Sequence, residues 1–331
     1  MDRWMAFGSF IARHMIVIVP ACLVCGICFP WLFQGFVPFV SPIFAFITFQ
    51  GSLTNDFSNL KNTFTHPLPM FVAIGISQLA MPLLAWLVGS LFFSDPNVVC
   101  GIVLEYCVPI AVTSTMWVSI YAGDMALTLG ILLISTCIAP FTIPATLQLL
   151  LGTTVTVDAR AMILQMLFMV AIPALLATWL NDRTKGAART YLSPRLMPAA
   201  RILTVLVITT NSTSLSTFFF NLTPELIGIL FFIAAMAASG YLWGYLAADA
   251  LHVRRAQAVS IIFCSALRNI AAGAIIAQTY FPPITVFPVQ TGTLFNQFFA
   301  ALFGKLLGPH FEQMQVAEVR GAAAQHEATR R

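Results

Sequence analysis

Two side chains in this sequence are placed to do chemistry: Glu105 and Arg268, the acidic and basic residues deep within long apolar runs. A carboxylate at membrane depth costs roughly 2.5–3.5 kcal/mol on insertion scales, and ionisable residues there mark ion and substrate paths. Glu105 stands in the stretch Asn97 to Tyr121, NVVCGIVLEYCVPIAVTSTMWVSIY, and is followed by Pro109 and Thr113-Ser114-Thr115. A proline within a helix removes a backbone hydrogen bond and clashes with the preceding turn. A helix that is broken, hydroxyl-rich and charged is the kind that holds ions or substrate in transporters. The plainer alternative is a kinked structural helix whose hydroxyls bond their own backbone. Arg268 stands beside Asn269 in a second such run, RAQAVSIIFCSALRNIAAGAIIAQT, residues 255–279.

The elements that must position these residues follow from composition. Of 331 residues, 59 % are hydrophobic and 8 % charged, against roughly 25 % charged in soluble domains. Long apolar runs predict an all-α integral membrane protein; a β-barrel would show alternating segments of about ten residues. The seven cysteines, Cys22, Cys25, Cys28, Cys100, Cys107, Cys137 and Cys264, all lie in apolar segments and lack the spacing of a disulfide framework or zinc site. Arg13 and His14 interrupt the first apolar run, so it does not read as a cleaved signal. No Ser/His/Asp set, His-Glu-x-x-His or phosphate loop is present, so no enzyme is expected. No basic and aromatic patch suggests nucleic acid.

Pro30, Gln34-Gly35 and Pro38 divide the uncharged stretch 15–55 into two spans at about 14–32 and 36–54. After the polar connection 55–66, further spans are predicted at 67–93, 97–121, 125–151, 160–180, 197–220, 225–249, 255–279 and 283–307. Residues 181–197 form the most basic loop, and the tail 308–331 reads as a polar surface segment. Ten spans put Arg3, Arg13, Lys61, Arg183, Lys185, Arg189, Arg195, Arg201, Arg254, Arg255, Lys305, Arg320, Arg330 and Arg331 on one side and only Arg160 on the other. By the positive-inside rule both termini are cytoplasmic, in a cell membrane. Five spans, a link and five more make two inverted repeats, about 14–151 and 160–307, the common ground plan of secondary transporters. Glu105 and Arg268 then occupy the fourth span of each half.

At those two spans the sequence resembles the bile acid:sodium symporter family in its bacterial ten-helix form, over roughly residues 36 to 305. FQGSLTNDF (49–57) looks like the family's second-helix Gly-x-x-Leu motif, and GISQLAMPLLAW (75–86) is similar to its third helix. CVPIAVTST followed by AGDMALTLG looks like its Cys-Pro…Thr-x-Ser-Asn…Gly-Asn run. SALRNIAAGAIIA resembles its ninth-helix Glu-x-x-x-Gln-Asn-Ser-Gly motif.

The resemblance implies a core of spans 3–5 and 8–10 beside a panel of spans 1, 2, 6 and 7, with spans 4 and 9 unwound and crossing at mid-membrane. It implies two sodium ions there. One would use Ser114, Thr115, Thr128 and Leu132 with Cys264; the other would use Gln78 and Cys264, with Arg268 standing where the family has glutamine. The family has Asn at Thr115, a hydroxyl at Leu132 and Glu at Cys264. Sodium is a hard cation that wants oxygen ligands. A guanidinium offers no acceptor and always carries charge, so Arg268 opposes an ion beside it and can stand in for one. The resemblance also places Thr113, Arg268, Asn269, Asn296 and Gln297 at the substrate, with interhelical glue as the alternative for the amides. Glu105 and Arg268 are expected to pair where the spans cross.

The function expected is secondary transport of small organic anions by alternating access, resembling sodium-coupled symporters but with altered sodium sites. Sodium stimulation is expected to be weak or absent, with at most one ion, and no other cofactor is expected. A sodium-independent or proton-coupled carrier is the alternative; a pore or membrane scaffold is a more distant one. The partners are the anion and the lipid bilayer; the oligomeric state is left open, a monomer being one option. The polar run Thr209–Thr217 is read either as a wet vestibule or as hydroxyls that satisfy their own backbone.

Overall fold

The structure, a computed structural model, describes residues 2–57, 67–156 and 158–330. Among these it is helical throughout, and the one pairing of extended backbone is an isolated antiparallel bridge between Ile110 and Arg268. The helices are α1 (Asp2–Cys28), α2 (Pro30–Ser52), α3 (Pro67–Phe92), α4 (Pro96–Cys107), α5 (Ser114–Ile120), α6 (Met125–Leu151), α7 (Ala159–Arg183), α8 (Ala188–Phe219), α9 (Pro224–Ala250), α10 (Arg255–Ala266), α11 (Ile270–Tyr280) and α12 (Pro283–Arg330). Six of them, α2, α3, α6, α7, α8 and α9, are long and apolar enough to cross a membrane; Val17–Cys28, α4 and α11 are shorter apolar helices.

Helix starts follow local chemistry. Asp95, Asp124, Asp158 and Thr223 each accept a hydrogen bond from the backbone N–H two or three residues on, Asn97, Leu127, Ala161 and Leu226. Such N-caps satisfy donors that have no intrahelical partner. Pro96 and Pro224 occupy first-turn positions where their missing N–H costs nothing.

Four boundaries differ from the sequence expectation. The first helix begins at Asp2 rather than near residue 14, so Arg3, Arg13 and His14 lie within it. The first two spans part at Phe29, because Pro30 opens the second helix; Gln34–Phe39 only tighten into a 3₁₀ turn that accommodates Pro38. The basic segment 181–197 is mostly helical, since the turn is confined to residues around Lys185 and Gly186, at φ 52° and 86°. The tail is not a separate segment: α12 runs 48 residues to Arg330. Lys61 and His66, in the polar connection, lie outside the described residues.

Prolines also shape helix interiors. Pro82, Pro173 and Pro194 each follow a π-helical turn, at Ile76–Ala80, Leu167–Ala171 and Ala188–Leu192. A helical proline clashes with the carbonyl four residues back and offers it no donor. One extra residue in the turn relieves the clash.

The helices pack in two groups. In one, α1, α2 and α7 gather around α8; in the other, α4 packs on α3, α6 and α12, and α9 packs on α10 and α12. The groups meet where α7 lies on α6 and α8 on α11. On α9, Gly240 and Gly244 face Ala266 and Ile262 of α10, and a Cβ on either would come within 3.1 Å of the opposing Cα. That spacing of small residues lets two membrane helices approach closely.

Candidate functional site

The two breaks meet. α4 ends at Cys107 and α5 begins at Ser114; α10 ends at Ala266 and α11 begins at Ile270. Between them the chains run antiparallel: Ala111 N–H donates to Leu267 O (3.1 Å) and Asn269 N–H to Pro109 O (2.9 Å). Each break thus satisfies part of the other's backbone, which a single broken helix in an apolar medium cannot do alone.

Side chains complete the satisfaction. Ser135 of α6, fully buried, accepts from Ile110 N–H (3.0 Å), and Gln78 donates to Val108 O (3.3 Å). On the other break Asn296 of α12 donates to Arg268 O (2.9 Å) and accepts from Arg268 N–H (3.4 Å).

The Arg268 side chain is 2 % exposed and occupies a place dictated by proline chemistry. In the π turn before Pro82, Met81 N–H bonds Ile76 O, and Pro82 has no N–H to give. Ser77 O is left without an intrahelical donor, and Arg268 Nη1 fills the gap at 2.9 Å. Nη2 donates to Ser265 O (2.9 Å), one of the orphaned carbonyls at the C-terminus of α10. A cation is favoured at that negative end of the helix dipole. The guanidinium also lies over the Tyr106 ring, 5.9 Å from its centroid.

Glu105, also 2 % exposed, lies on α4 against Gly292 of α12, where a Cβ would collide with its carboxylate. Glu105 and Arg268 are near enough to interact electrostatically. Both guanidinium Nη groups are taken by carbonyls, however, and Glu105 Oε2 and Arg268 Nε have no hydrogen-bond partner among the described residues. The hydroxyls of Ser77, Ser265 and Tyr241 nearby are likewise buried and unpartnered.

The hydroxyl set is only partly assembled. Cys264 lies beside Ser114 and Thr128, all three fully buried. Ser114 Oγ has no hydrogen-bond partner among the described residues beyond its proximity to the Cys264 thiol. Thr128 Oγ1 is committed to Asp124 O (2.8 Å) and meets Ser260 Oγ at 3.0 Å. Thr115 turns back to Val112 O (2.8 Å), and Leu132 joins the apolar cluster around Cys264. Gln78 spans both roles: its amide holds Val108, and its Oε1 accepts from Thr142 (3.4 Å).

Gln297 bridges Thr113 Oγ1 (3.2 Å) and Trp117 Nε1 (2.9 Å), on the open side of α5 where Thr113 is exposed. Asn269 is half-buried beside the crossing. The run 209–217 mostly satisfies itself: Thr209, Ser212, Thr213 and Ser214 donate to Val205, Ile208, Thr210 and Asn211 carbonyls. Sequence reading missed Ser77, Ser135 and Gly292. Pro82, five residues after Ser77, was the available signal for the first; a lone serine or glycine in an apolar helix gave none for the others.

Comparison with known proteins now adds a frame. Residues 41–217 match the model of the sodium bile acid symporter family. The chain is 35 % identical to the uncharacterized protein YbaS of Bacillus subtilis over 294 residues, 88 % of this chain and 96 % of that one. It is 23 % identical to the chloroplastic BASS1 of Arabidopsis thaliana, named a probable sodium/metabolite cotransporter, over 88 % of this chain and 73 % of that one. It is 22 % identical to YocS of Bacillus subtilis, named an uncharacterized sodium-dependent transporter, over 87 % and 88 %. The matched segment takes in Gln78, Ser114, Thr115 and Thr128 but stops before Cys264 and Arg268. With its apolar helices, this places the chain among multi-pass membrane transporters: it belongs to the sodium bile acid symporter family.

Proposed function

We propose that this protein carries small organic anions across the cell membrane by alternating access, with Arg268 as the fixed counter-charge for the anion. The reading has ten spans in two inverted halves, 14–151 and 160–307, with both termini cytoplasmic. Thr113, Asn269, Asn296 and Gln297 are the polar contacts for the solute beside the crossing. One observation carries it: the guanidinium sits on two orphaned carbonyls, that of Ser77 in the π turn of α3 and that of Ser265 at the half-helix C-terminus of α10. Such ends coordinate coupling cations in broken-helix transporters. A tethered cation there takes over the charge of one ion. At most one sodium remains, on the oxygens of Ser114, Thr115 and Thr128, and the names of the relatives favour that sodium. Gln78 and Cys264 then serve the break rather than a second ion.

Uptake of labelled taurocholate and of small carboxylates into proteoliposomes tests this, with and without sodium. Saturable, gradient-dependent uptake with a sodium Hill coefficient no greater than one is expected. Non-saturable flux would mean a pore, no flux of any anion a scaffold, and a coefficient near two a pair of intact sodium sites.

A further inference from the structure

We propose that Glu105 is a proton-binding site, loaded once in each transport cycle that runs without sodium, so that one proton then crosses with each monovalent anion.

Five helices pack on α4: α3, α6, α9, α11 and α12. From α9 the nearby titratable group is Tyr241, whose buried hydroxyl faces the Arg268 region; Glu225, Tyr245 and Asp249 lie toward the ends of that helix. The part of the chain that forms α3, Pro67–Phe92, contains no ionisable side chain, and α6 contains only Cys137. Within α11 the one titratable group is Tyr280, at its far end, and α12 has none before Lys305. From its own helix come Cys100, Tyr106 and Cys107. Across the crossing stands Arg268, so among the described residues Glu105 has one opposite charge in reach and no other. Its Oε2 has no hydrogen-bond donor among the described residues, and Gly292 leaves room for the carboxyl and nothing larger. A buried carboxylate whose only cation already donates to two carbonyls is stabilised by charge alone, not by hydrogen bonds. That is an arrangement a proton can enter without breaking a built network.

Charge accounting then sets the order of events, and this step rests on Arg268 being the anion's counter-charge. In a cycle with no sodium on Ser114, Thr115 and Thr128, where the proton takes that ion's place, the empty carrier has Glu105 ionised and Arg268 charged, so the site is neutral. A monovalent anion arriving at Arg268 would leave one excess negative charge. A proton taken from the aqueous phase on the open side neutralises Glu105, and the loaded site is neutral again. Both reorientation steps therefore move a neutral site past the apolar walls, where net charge is costly. Release reverses the step: anion and proton leave on the other side, and the Glu105–Arg268 charge balance is restored.

Infrared difference spectroscopy on the full-length protein in lipid, with no solute, tests the site directly. A step to acid pH should bring up a carboxylic-acid C=O band in the wild type that is absent in Glu105→Gln and returns at a changed frequency in Glu105→Asp. No such band, or the same band in Glu105→Gln, overturns the proton site. In sodium-free proteoliposomes, an inward proton gradient should raise taurocholate accumulation several-fold in the wild type and leave accumulation by Glu105→Gln without a response to the gradient. Equal response of both proteins overturns the proton site and leaves the carrier reading intact. The band without anion movement overturns the carrier reading and retains the proton site.

Discussion

The two breaks at the centre of the molecule solve one problem in opposite ways. The break between α4 and α5 is long and neutral. Its polar groups are met by Ser135, Gln78 and the partner segment, and its far end opens at Thr113. The break between α10 and α11 is three residues long, buried, and carries its own cation. The neutral break leaves Ser114 Oγ uncommitted, so it can receive something from outside. The charged break supplies its own ligand to the carbonyls it exposes. A site can thus keep the geometry of an ion-coupled carrier while replacing one mobile ion by a side chain.

The comparison breaks most severely at Arg268. Arg268→Gln leaves the Ser77 and Ser265 carbonyls unpaired and Glu105 without its counter-charge, a loss of about 3–5 kcal/mol. Thermal melts should show it, and anion uptake should fall on the order of 100-fold, the factor that about 2.7 kcal/mol corresponds to. Adding Glu105→Gln should restore folding but not uptake. A double variant that transports normally would remove Arg268 from the solute site.

Asn296→Leu attacks the same break from behind. It removes both bonds to the Arg268 backbone, and two buried backbone groups lose partners at about 1–3 kcal/mol each. Denaturation of the purified protein reads this, with a larger effect expected than for Ser135→Ala, which orphans only Ile110 N–H on the neutral break. Equal losses would mean the two breaks are held equally.

A smaller effect is expected at Gly292→Ala, which pushes a methyl into Glu105 and costs about 1–3 kcal/mol as an overpacked site. Glu105→Ala in the same chain should relieve it; a double-mutant cycle with no coupling would place Glu105 elsewhere. The smallest effect is at Thr128→Val. Sodium-induced thermal stabilisation should shrink while stability without sodium changes little, because the Thr128 hydroxyl bonds its own helix. Stabilisation by sodium that survives this change would move the ion away from the neutral break.

Much of this was written in residue types. The span limits at Met125–Leu151 and Pro224–Ala250 follow from capping residues and apolar length, and both breaks were visible as Pro109 and as a charge next to Asn269. What the residues could not tell was the direction of Arg268. A guanidinium in an apolar run demands partners, but backbone carbonyls carry no sequence signature, and whether Ser77 O is free depends on a turn geometry set five residues away. The Thr209–Thr217 run was ambiguous for a related reason: hydroxyls that bond the carbonyl one turn back look the same in sequence as hydroxyls that face water.

The π turn before Pro82 has one more consequence, in the arithmetic of chain length. It holds one residue more than an α turn, so α3 carries one residue of slack where Leu79, 70 % exposed, faces outward. Deleting Leu79 together with Pro82→Ala takes up that slack and leaves the faces on both sides in register. The same deletion at Leu87, in regular helix, turns everything beyond it by about 100°, one residue of a 3.6-residue turn. The first shortened chain should still insert and fold, with Ser77 O drawn back into its own helix and Arg268 deprived of one anchor. The second should not fold. Within α3 a one-residue shortening is thereby absorbed at this turn, which is also the turn that decides what the buried cation holds.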